Sequence, residues 1–313
     1  MYCFAENVLP MNSRHLQYLN IALAAFLGIA IFTSTDEPEG QPNYRPDKDI
    51  PQVVKPVDLD REFDFAGEPL PMDNFDVRER LDRELLVNTY WHSSTLLNLK
   101  NAYKFFPMIE RKLAEAGIPE DFKYLAVAES SLRNVVSPAG ARGLWQIMSA
   151  TAREHGLEVN SEVDERYHYE KATEAACKVL KQYHRSFGTW TMAAAAYNAG
   201  YGNIKDEIET QRAETYYDLN LNAETARYIF RLVAIKEILS RPDEFGFYLE
   251  DEDGYPPLDN YEAVKVTQTI NNLGDFARDQ GTTYRMLKVY NPWLLDSRLT
   301  VRPGQEYEIR VPK

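Results

Sequence analysis

The sequence predicts a mainly α protein that ends in a small α+β module. From about Val77 to Leu239, apolar residues recur at helical spacing between charged ones, and β-strand alternation is scarce. Glycine and proline interrupt this region where helices should end. Residues 261–313 instead follow a strand–helix–helix–strand order. The 313 residues, of which 44% are hydrophobic, suffice for one large domain or two modest ones.

Residues 1–34 are predicted to be a signal peptide or an N-terminal membrane anchor. Residues 19–32 form a short apolar run, LNIALAAFLGIAIF, behind Arg14 and His15. The run is shorter than the ~20 residues of a typical transmembrane helix and suits the core of a signal peptide. Cleavage near residues 28–30 and retention as an anchor both remain open, and both place the rest of the chain outside the cytoplasm.

Two linkers are predicted to separate the folded parts of the chain. Residues 35–72 contain prolines among acidic and polar side chains, a composition that buries too little apolar surface to order itself. The helical domain is predicted to follow at 73–245. An acidic, turn-rich second linker, 246–260, then leads to the C-terminal module at 261–313.

Charge and metal-binding residue types exclude several classes of function. The formal net charge of -13 argues against general nucleic-acid binding, which needs a basic surface. The two cysteines, Cys3 and Cys177, and five scattered histidines have no metal-ligand spacing. The sequence therefore predicts no metal site, and it does not indicate an oligomeric state.

One carboxylate stands in an unusually apolar helix. The helix is predicted to open at residues 119–121, where proline and two acids suit a first turn, and it continues through Leu125-Ala126-Val127-Ala128 to Glu129. Burial there would raise the pKa of Glu129, so that the acid could donate a proton near neutral pH. A surface glutamate beside two serines is the alternative, and local sequence does not separate the two.

A glycine-rich loop follows this helix. Residues 136–148 contain Ser137-Pro138 and two glycines, Gly140 and Gly143, before the chain returns to Leu144-Trp145. Such a loop can bring backbone groups and the side chain of Gln146 close to a ligand. An ordinary connection between two helices is the alternative interpretation.

Two further segments present polar side chains at helix ends. Tyr197-Asn198 stand just before a glycine-rich stretch that should end a helix, where Asn198 could bind an N-acetylated sugar or simply cap the helix. Glu224 precedes Tyr228 by four residues, so both project from one face of the last helix of the domain.

Together these segments form four motifs in a fixed order. They are Glu129-Ser130, Gly143-Leu144-Trp145-Gln146, Ala196-Tyr197-Asn198, and Glu224-Thr225 with Tyr228. In this order, on a helical background, they resemble the lytic transglycosylases of glycoside hydrolase family 23 over residues 115–240. The Trp145 variant of the second motif is most similar to the D-type membrane-bound branch of that family.

The resemblance implies a lysozyme-like helical domain that cleaves peptidoglycan in the cell envelope or periplasm. Glu129 would be the single catalytic acid/base. The remaining matched residues would line the saccharide groove or support it: Ser130, Gln146, Tyr197, Asn198, Glu224 and Tyr228. The implied reaction breaks the bond from N-acetylmuramic acid to N-acetylglucosamine, without water, metal or cofactor, and leaves 1,6-anhydro ends.

Two alternatives stay open at this stage. A hydrolytic muramidase would need a second placed carboxylate, for which Glu224 is the candidate. A non-catalytic envelope scaffold would only hold peptidoglycan, and the intact Glu129 argues against it.

The C-terminal module resembles a divergent lysin motif. Its predicted parts are strands at 263–267 and 307–312 and helices at 273–281 and 284–291. The resemblance implies binding of glycans that contain N-acetylglucosamine, and a purely structural cap is the alternative.

Overall fold

The structure, a computed structural model, describes residues 55–313. The predicted signal peptide or anchor, and most of the first predicted linker, lie outside the described residues. Over 55–313 the chain is mainly α with a small C-terminal βααβ module, so the predicted fold class is confirmed. Within this range no helix is long and apolar enough to cross a bilayer.

Eight helices build the larger part of the described chain, and local sequence fixes several of their ends. Asn74 and Thr189 accept hydrogen bonds from the backbone N–H of Asp76 and Met192, which caps two of the helices. Gly117 ends another in the left-handed conformation, with φ +62°. The helices are α1 Phe75–Tyr90, α2 His92–Ala116, α3 Lys123–Ser130, α4 Ser149–Glu154, α5 Tyr169–Phe187, α6 Trp190–Ala199, α7 Tyr201–Gln211 and α8 Thr225–Ser240.

Helix α8 lies at the centre of the core. Every residue from Tyr228 to Ile235 is buried except Arg231, and α1, α3 and α6 all pack against this helix. The run Ala193–Ala196 of α6 is completely buried. Alanine side chains this small let α6 approach its neighbours closely, so α6 holds a fixed position next to α8.

The predicted first linker extends too far, because residues 63–70 belong to the folded core. Phe63, Phe65 and Leu70 are buried, and the Phe65 ring meets the Phe122 ring edge-on at 5.2 Å between centroids. The segment forms an antiparallel hairpin of β1 (Asp64–Phe65) and β2 (Glu68–Pro69). Two-residue strands with a few isolated apolar residues give too weak a periodic signal to be predicted from sequence.

The C-terminal module has the predicted order of elements. Strands β3 (Tyr261–Val266) and β4 (Tyr307–Pro312) pair antiparallel, with Val264 opposite Ile309. Leu273 and Leu287 from the two helices fill the small core beneath them. Its elements are β3 Tyr261–Val266, α9 Leu273–Asp279, α10 Tyr284–Tyr290 and β4 Tyr307–Pro312.

The module packs firmly on a loop of the helical part, residues 158–168. Val163 is buried in the core of the module, and the backbone N–H of Asp164 donates to the carbonyl of Trp293 at 2.9 Å. The carboxylate of Glu162 accepts from the N–H and the hydroxyl of Thr300, at 2.7 and 3.0 Å. The second predicted linker, 246–260, is therefore not the only connection between the two parts.

Candidate active site

Glu129 lies in the last turn of α3, and its side chain is half-buried. The preceding residues Leu125, Ala126 and Val127 are buried, because this side of α3 packs against α8 and α2. The hydroxyl of Tyr228 on α8 donates a short hydrogen bond to Oε1 of Glu129. Tyr228 is itself 1% exposed, so water has little access to this contact.

The surroundings set the protonation of Glu129. Its pKa is raised from the ordinary 4.5 to about 7, and burial is the largest cause. The hydrogen bond from Tyr228 and the positive charge of Arg231 oppose the rise in pKa, whereas the negative charge of Glu224 contributes to it. Because the effect of burial is the largest, a substantial share of Glu129 carries a proton at neutral pH. The side chain is therefore suited to give a proton and to take one back.

The backbone around Glu129 is strained. Ser131 and Leu132, which follow α3, both have φ +54°, and Gln146 in the neighbouring turn has φ +48°. Non-glycine residues in this left-handed region cost roughly 1–2 kcal/mol each. Such strain persists only where the surrounding structure fixes the backbone, and here it is concentrated at the end of the helix that carries Glu129.

The turn at residues 143–146 packs against this helix end. Gly143 has φ +81°, and a Cβ atom there would lie 2.0 Å from the carbonyl oxygen of Arg166. Only glycine satisfies both conditions. The Ser130 hydroxyl lies 2.8 Å from the carbonyl oxygen of Leu144, which joins the turn to α3. The Trp145 side chain is fully buried, and its indole N–H donates to Thr173 at 2.8 Å.

A buried arginine spans the same turn. The guanidinium of Arg166, 4% exposed, donates to the carbonyls of Gly140 and Ile147 at 3.0 and 3.2 Å. Two parallel hydrogen bonds, of 2.9 and 2.7 Å, join it to the buried carboxylate of Asp164. Sequence analysis missed this pair, because Arg166 and Asp164 stand in a polar segment with no motif.

Three of the predicted groove residues use their polar groups to hold backbone. Tyr197 donates its hydroxyl proton to the Trp145 carbonyl at 2.7 Å. The amide nitrogen of Gln146 donates to the carbonyls of Val135 and Gly143, at 3.1 and 2.8 Å. Ser130 is 5% exposed, and its hydroxyl is occupied by the carbonyl contact with the turn. Of the two roles expected for Ser130, lining the groove or supporting it, this contact fits the supporting one.

Tyr228, a fourth predicted groove residue, donates its hydroxyl proton to Glu129, and the remaining two have uncommitted polar groups. The side chains of Asn198, half-buried at the end of α6, and Glu224, exposed at the start of α8, make no hydrogen bond within residues 55–313. Both therefore have polar groups available to a ligand. The charge of Glu224 acts on Glu129, so the first and fourth motifs lie close together in space.

A second feature that the motifs did not reveal holds α8 in place. Glu84 of α1 is 1% exposed, and its carboxylate lies 2.8 Å from Nε of Arg227 and 3.7 Å from Nε of Arg231. These arginines flank Tyr228, so the ion pairs fix the helix face that reaches Glu129. The positions of the two arginines next to Tyr228 are visible in the sequence. Their pairing with Glu84, on a helix far away in the chain, is not.

No group of three or more His, Cys, Asp or Glu in the part of the chain that the structure describes could hold a metal ion.

Family models match both parts of the chain. Residues 106–220 match the Transglycosylase SLT domain, and residues 262–313 match the Soluble lytic transglycosylase C-terminal LysM-like domain. The resemblance inferred from the motifs is confirmed: the chain carries an SLT transglycosylase domain followed by a LysM-like domain.

Among curated proteins, the chain is similar to the Membrane-bound lytic murein transglycosylase D of Escherichia coli strain K12. The two are 28% identical over 258 residues, which cover 80% of this chain and 55% of the relative. The protein of the same name from E. coli O6:H1 gives the same values. The chain thus spans about half the length of the curated relatives it matches.

Two solved structures overlap with part of the chain. The 70 kDa soluble lytic transglycosylase SLT70 of E. coli has a TM-score of 0.38 and 23% identity over 44% of this chain and 24% of its own. The lytic transglycosylase Slt of Pseudomonas aeruginosa has a TM-score of 0.38 and 21% identity over the same shares.

Replacing Gly143 should disrupt the turn. We expect Gly143→Ala to lower the free energy of unfolding by at least ~3 kcal/mol, because the new methyl group would collide with the Arg166 carbonyl. Gly140→Ala is the matched control: Gly140 has φ +86° with no atom within 4 Å of a Cβ, so only the backbone conformation should cost about 1 kcal/mol. Urea unfolding of both variants checks this, and equal losses would contradict the proposed close approach.

Removing the Tyr228 hydroxyl should raise the pKa of Glu129. The hydroxyl stabilises the ionised carboxylate, so Tyr228→Phe should move the pKa from about 7 to roughly 8, the effect of losing a charge-assisted hydrogen bond. Carbon-13 NMR titration of the Glu129 carboxyl measures this. Tyr216→Phe, which removes another buried hydroxyl bonded to the Thr225 carbonyl, should leave the pKa unchanged. An unchanged or lowered pKa in Tyr228→Phe would refute the assigned contact.

Proposed function

We propose that this protein is a peptidoglycan lytic transglycosylase in which Glu129 acts first as acid and then as base. The observation that carries the proposal is a single half-buried carboxyl with a pKa of about 7, placed at a strained helix end within an SLT transglycosylase domain. The curated relatives are named as lytic murein transglycosylases, which supports the same activity for this chain.

In the first step, protonated Glu129 gives its proton to the oxygen that joins N-acetylmuramic acid to N-acetylglucosamine. The bond from that oxygen to the anomeric carbon breaks, and the acetamido oxygen of the muramic acid stabilises the cationic centre. Burial favours this step because it keeps the proton on Glu129 at neutral pH. The Tyr228 hydroxyl then stabilises the carboxylate that the step leaves behind.

In the second step, the Glu129 carboxylate takes the proton of the 6-hydroxyl group on the same sugar. The 6-oxygen attacks the anomeric carbon and displaces the acetamido oxygen, so a 1,6-anhydro ring forms and Glu129 regains its proton. The 6-hydroxyl group of the sugar replaces water as the nucleophile, and it reacts at a high effective concentration because it belongs to the same molecule. The site therefore needs no second carboxyl group to activate water.

Asn198 and Glu224 are the side chains that we propose to contact the sugars. Their polar groups make no hydrogen bond within the described chain, whereas the polar groups of Ser130, Gln146 and Tyr197 already hold backbone. The half-buried ring of Tyr197 and the amide oxygen of Gln146 remain available to line the groove.

We further propose that the protein acts in the cell envelope, on peptidoglycan glycan strands. The name of the curated relatives and the apolar run at 19–32 support this location, either as a periplasmic protein or through an N-terminal anchor. The LysM-like domain at 262–313 supports a contribution to glycan binding. On this proposal the helical domain begins near residue 63, where the buried hairpin starts.

A hydrolytic muramidase is the second candidate, and Glu224 favours it. A second carboxylate close enough to influence Glu129 could activate water instead of binding sugar. We place it second because Glu224 is exposed at the start of α8 and its side chain makes no hydrogen bond within 55–313 that would orient it toward a water molecule.

Mass spectrometry of muropeptides released from purified sacculi tests the proposal. The wild-type chain should release products roughly 18 Da lighter than reducing-end products, because one water is not consumed. Glu129→Gln, which keeps the shape of the side chain but removes the titrating proton, should reduce release by at least about a hundredfold.

The remaining outcomes identify the rivals. Reducing-end products that disappear with Glu224→Gln would replace the proposal with a muramidase. Binding to sacculi without release by either protein would indicate a non-catalytic scaffold.

A further inference from the structure

A second cleft, with a volume of about 290 Å³, lies where the helical domain meets the C-terminal module. Its walls are formed by helix α2, the first turn of α5, residues 257–259 of the connecting segment and both strands of the module. The residues that matter for its chemistry are Lys104, Phe105, Arg111, Tyr169, Tyr261 and Arg310.

The cleft concentrates positive charge in an acidic protein. The ammonium group of Lys104 is half-buried and lies 5.1 Å from the centre of the Tyr255 ring, whereas Arg111 is exposed. Neither cation has a carboxylate within 4.0 Å among residues 55–313. Burial lowers the pKa of Lys104, which is the expected result when an ammonium lacks an anionic partner. Such a cation is stabilised by any anion that enters the cleft.

The module contributes the third cation. Arg310 of β4 pairs with Glu170 at 2.6 Å and lies over the Tyr261 ring at 4.7 Å. One face of the cleft is therefore fixed by an ion pair between the two parts of the chain. Asp259, exposed on the rim, is the other acid that lines it, so the cations outnumber the carboxylates three to two.

The cleft is connected to the segment that follows Glu129. The side-chain amide of Asn134 donates to the Tyr169 hydroxyl, in the cleft wall, at 3.3 Å. Asn134 is five positions after Glu129 in the chain, so their Cα atoms lie at most about 18 Å apart. A fully extended four-residue peptide spans up to roughly 14 Å. A peptide of this length that starts near Glu129 therefore has a reach similar to the distance limit between Glu129 and Asn134.

We propose that this cleft binds the carboxylate end of the peptide stem carried by the muramic acid sugar at Glu129. The inference rests on the proposed function, because it assumes that a glycan strand occupies the groove. Stem peptides carry free carboxylates, for which the two unpaired cations are suitable partners, and the aromatic walls contact the aliphatic parts of a peptide. The volume is at the lower end for ligand pockets, so it accommodates the end of a stem.

The C-terminal module thereby contributes to substrate selection in addition to any glycan binding of its own. Arg310 and Tyr261 belong to the module, whereas Lys104 and Arg111 belong to the helical domain. A strand with intact stems would contact both parts at once, and a strand without stems would contact the groove alone.

Direct binding tests the cleft without any need for catalysis. The isolated tetrapeptide stem, with free carboxylates, is titrated into the full 313-residue chain and followed by NMR, which detects dissociation constants as weak as about 1 mM. The wild type should bind, and Lys104→Ala should raise the dissociation constant about tenfold. Lys112→Ala removes the same charge from the same helix, but from a site paired with Glu115 and Glu174, and should bind like the wild type.

A fully amidated stem peptide provides the second comparison, and it should bind the wild type at least tenfold more weakly. The inference is overturned if the wild type does not bind the acidic stem, if Lys104→Ala and Lys112→Ala bind equally, or if amidation has no effect. Failure of the proposed function would look different: no muropeptides would be released from sacculi, whatever the result of the peptide titration.

Discussion

The contact between Tyr228 and Glu129 is the interaction on which the rest of the site depends. Burial alone would push the pKa of Glu129 upward, and the hydroxyl of Tyr228 limits that rise, so the carboxyl titrates near pH 7. Ionising this half-buried group at higher pH opposes folding, by something on the order of 3 kcal/mol at most. The fold tolerates such a cost because α3 and α8 are fixed by a large apolar core and because Glu84 pairs with the arginines on either side of Tyr228.

The second constraint is the close packing of the turn at 143–146 on its supports. Gly143 lies against the Arg166 carbonyl, while the guanidinium of Arg166 spans the turn and pairs with Asp164. The backbone N–H of Asp164 also donates to Trp293 of the C-terminal module. One short loop, 158–168, therefore supports the turn on one side and the module on the other. This arrangement explains why positive φ values can persist at Ser131, Leu132 and Gln146, since packing and hydrogen bonds fix each segment.

Much of this could be predicted from sequence, and the exceptions have physical causes. Helix ends at Gly117 and before Gly200 follow from local conformational preference, and the apolar neighbours of Glu129 already indicated a raised pKa. The hairpin at 63–70 could not be predicted, because it depends on contacts with the Phe122 ring and the Trp190 backbone N–H, which are far along the chain. The ion pairs of Arg166 and Glu84 could not be predicted either, because they join residues whose proximity is set only by the fold. The same holds for the cleft between the helical domain and the C-terminal module. A motif also does not show which polar atoms form hydrogen bonds within the protein. The Ser130 hydroxyl, which bonds to the Leu144 carbonyl, is an example.

The pH dependence of kcat/KM for strand cleavage by the wild type tests the central claim most directly. If Glu129 must be protonated to begin the reaction, the rate constant should be flat below its pKa and fall tenfold per pH unit above about 7. The bond broken and the strand ends released should be the same throughout. A rate constant that stays level up to pH 9, or one that already falls above pH 4.5, would contradict an acid kept protonated by burial and restrained by Tyr228.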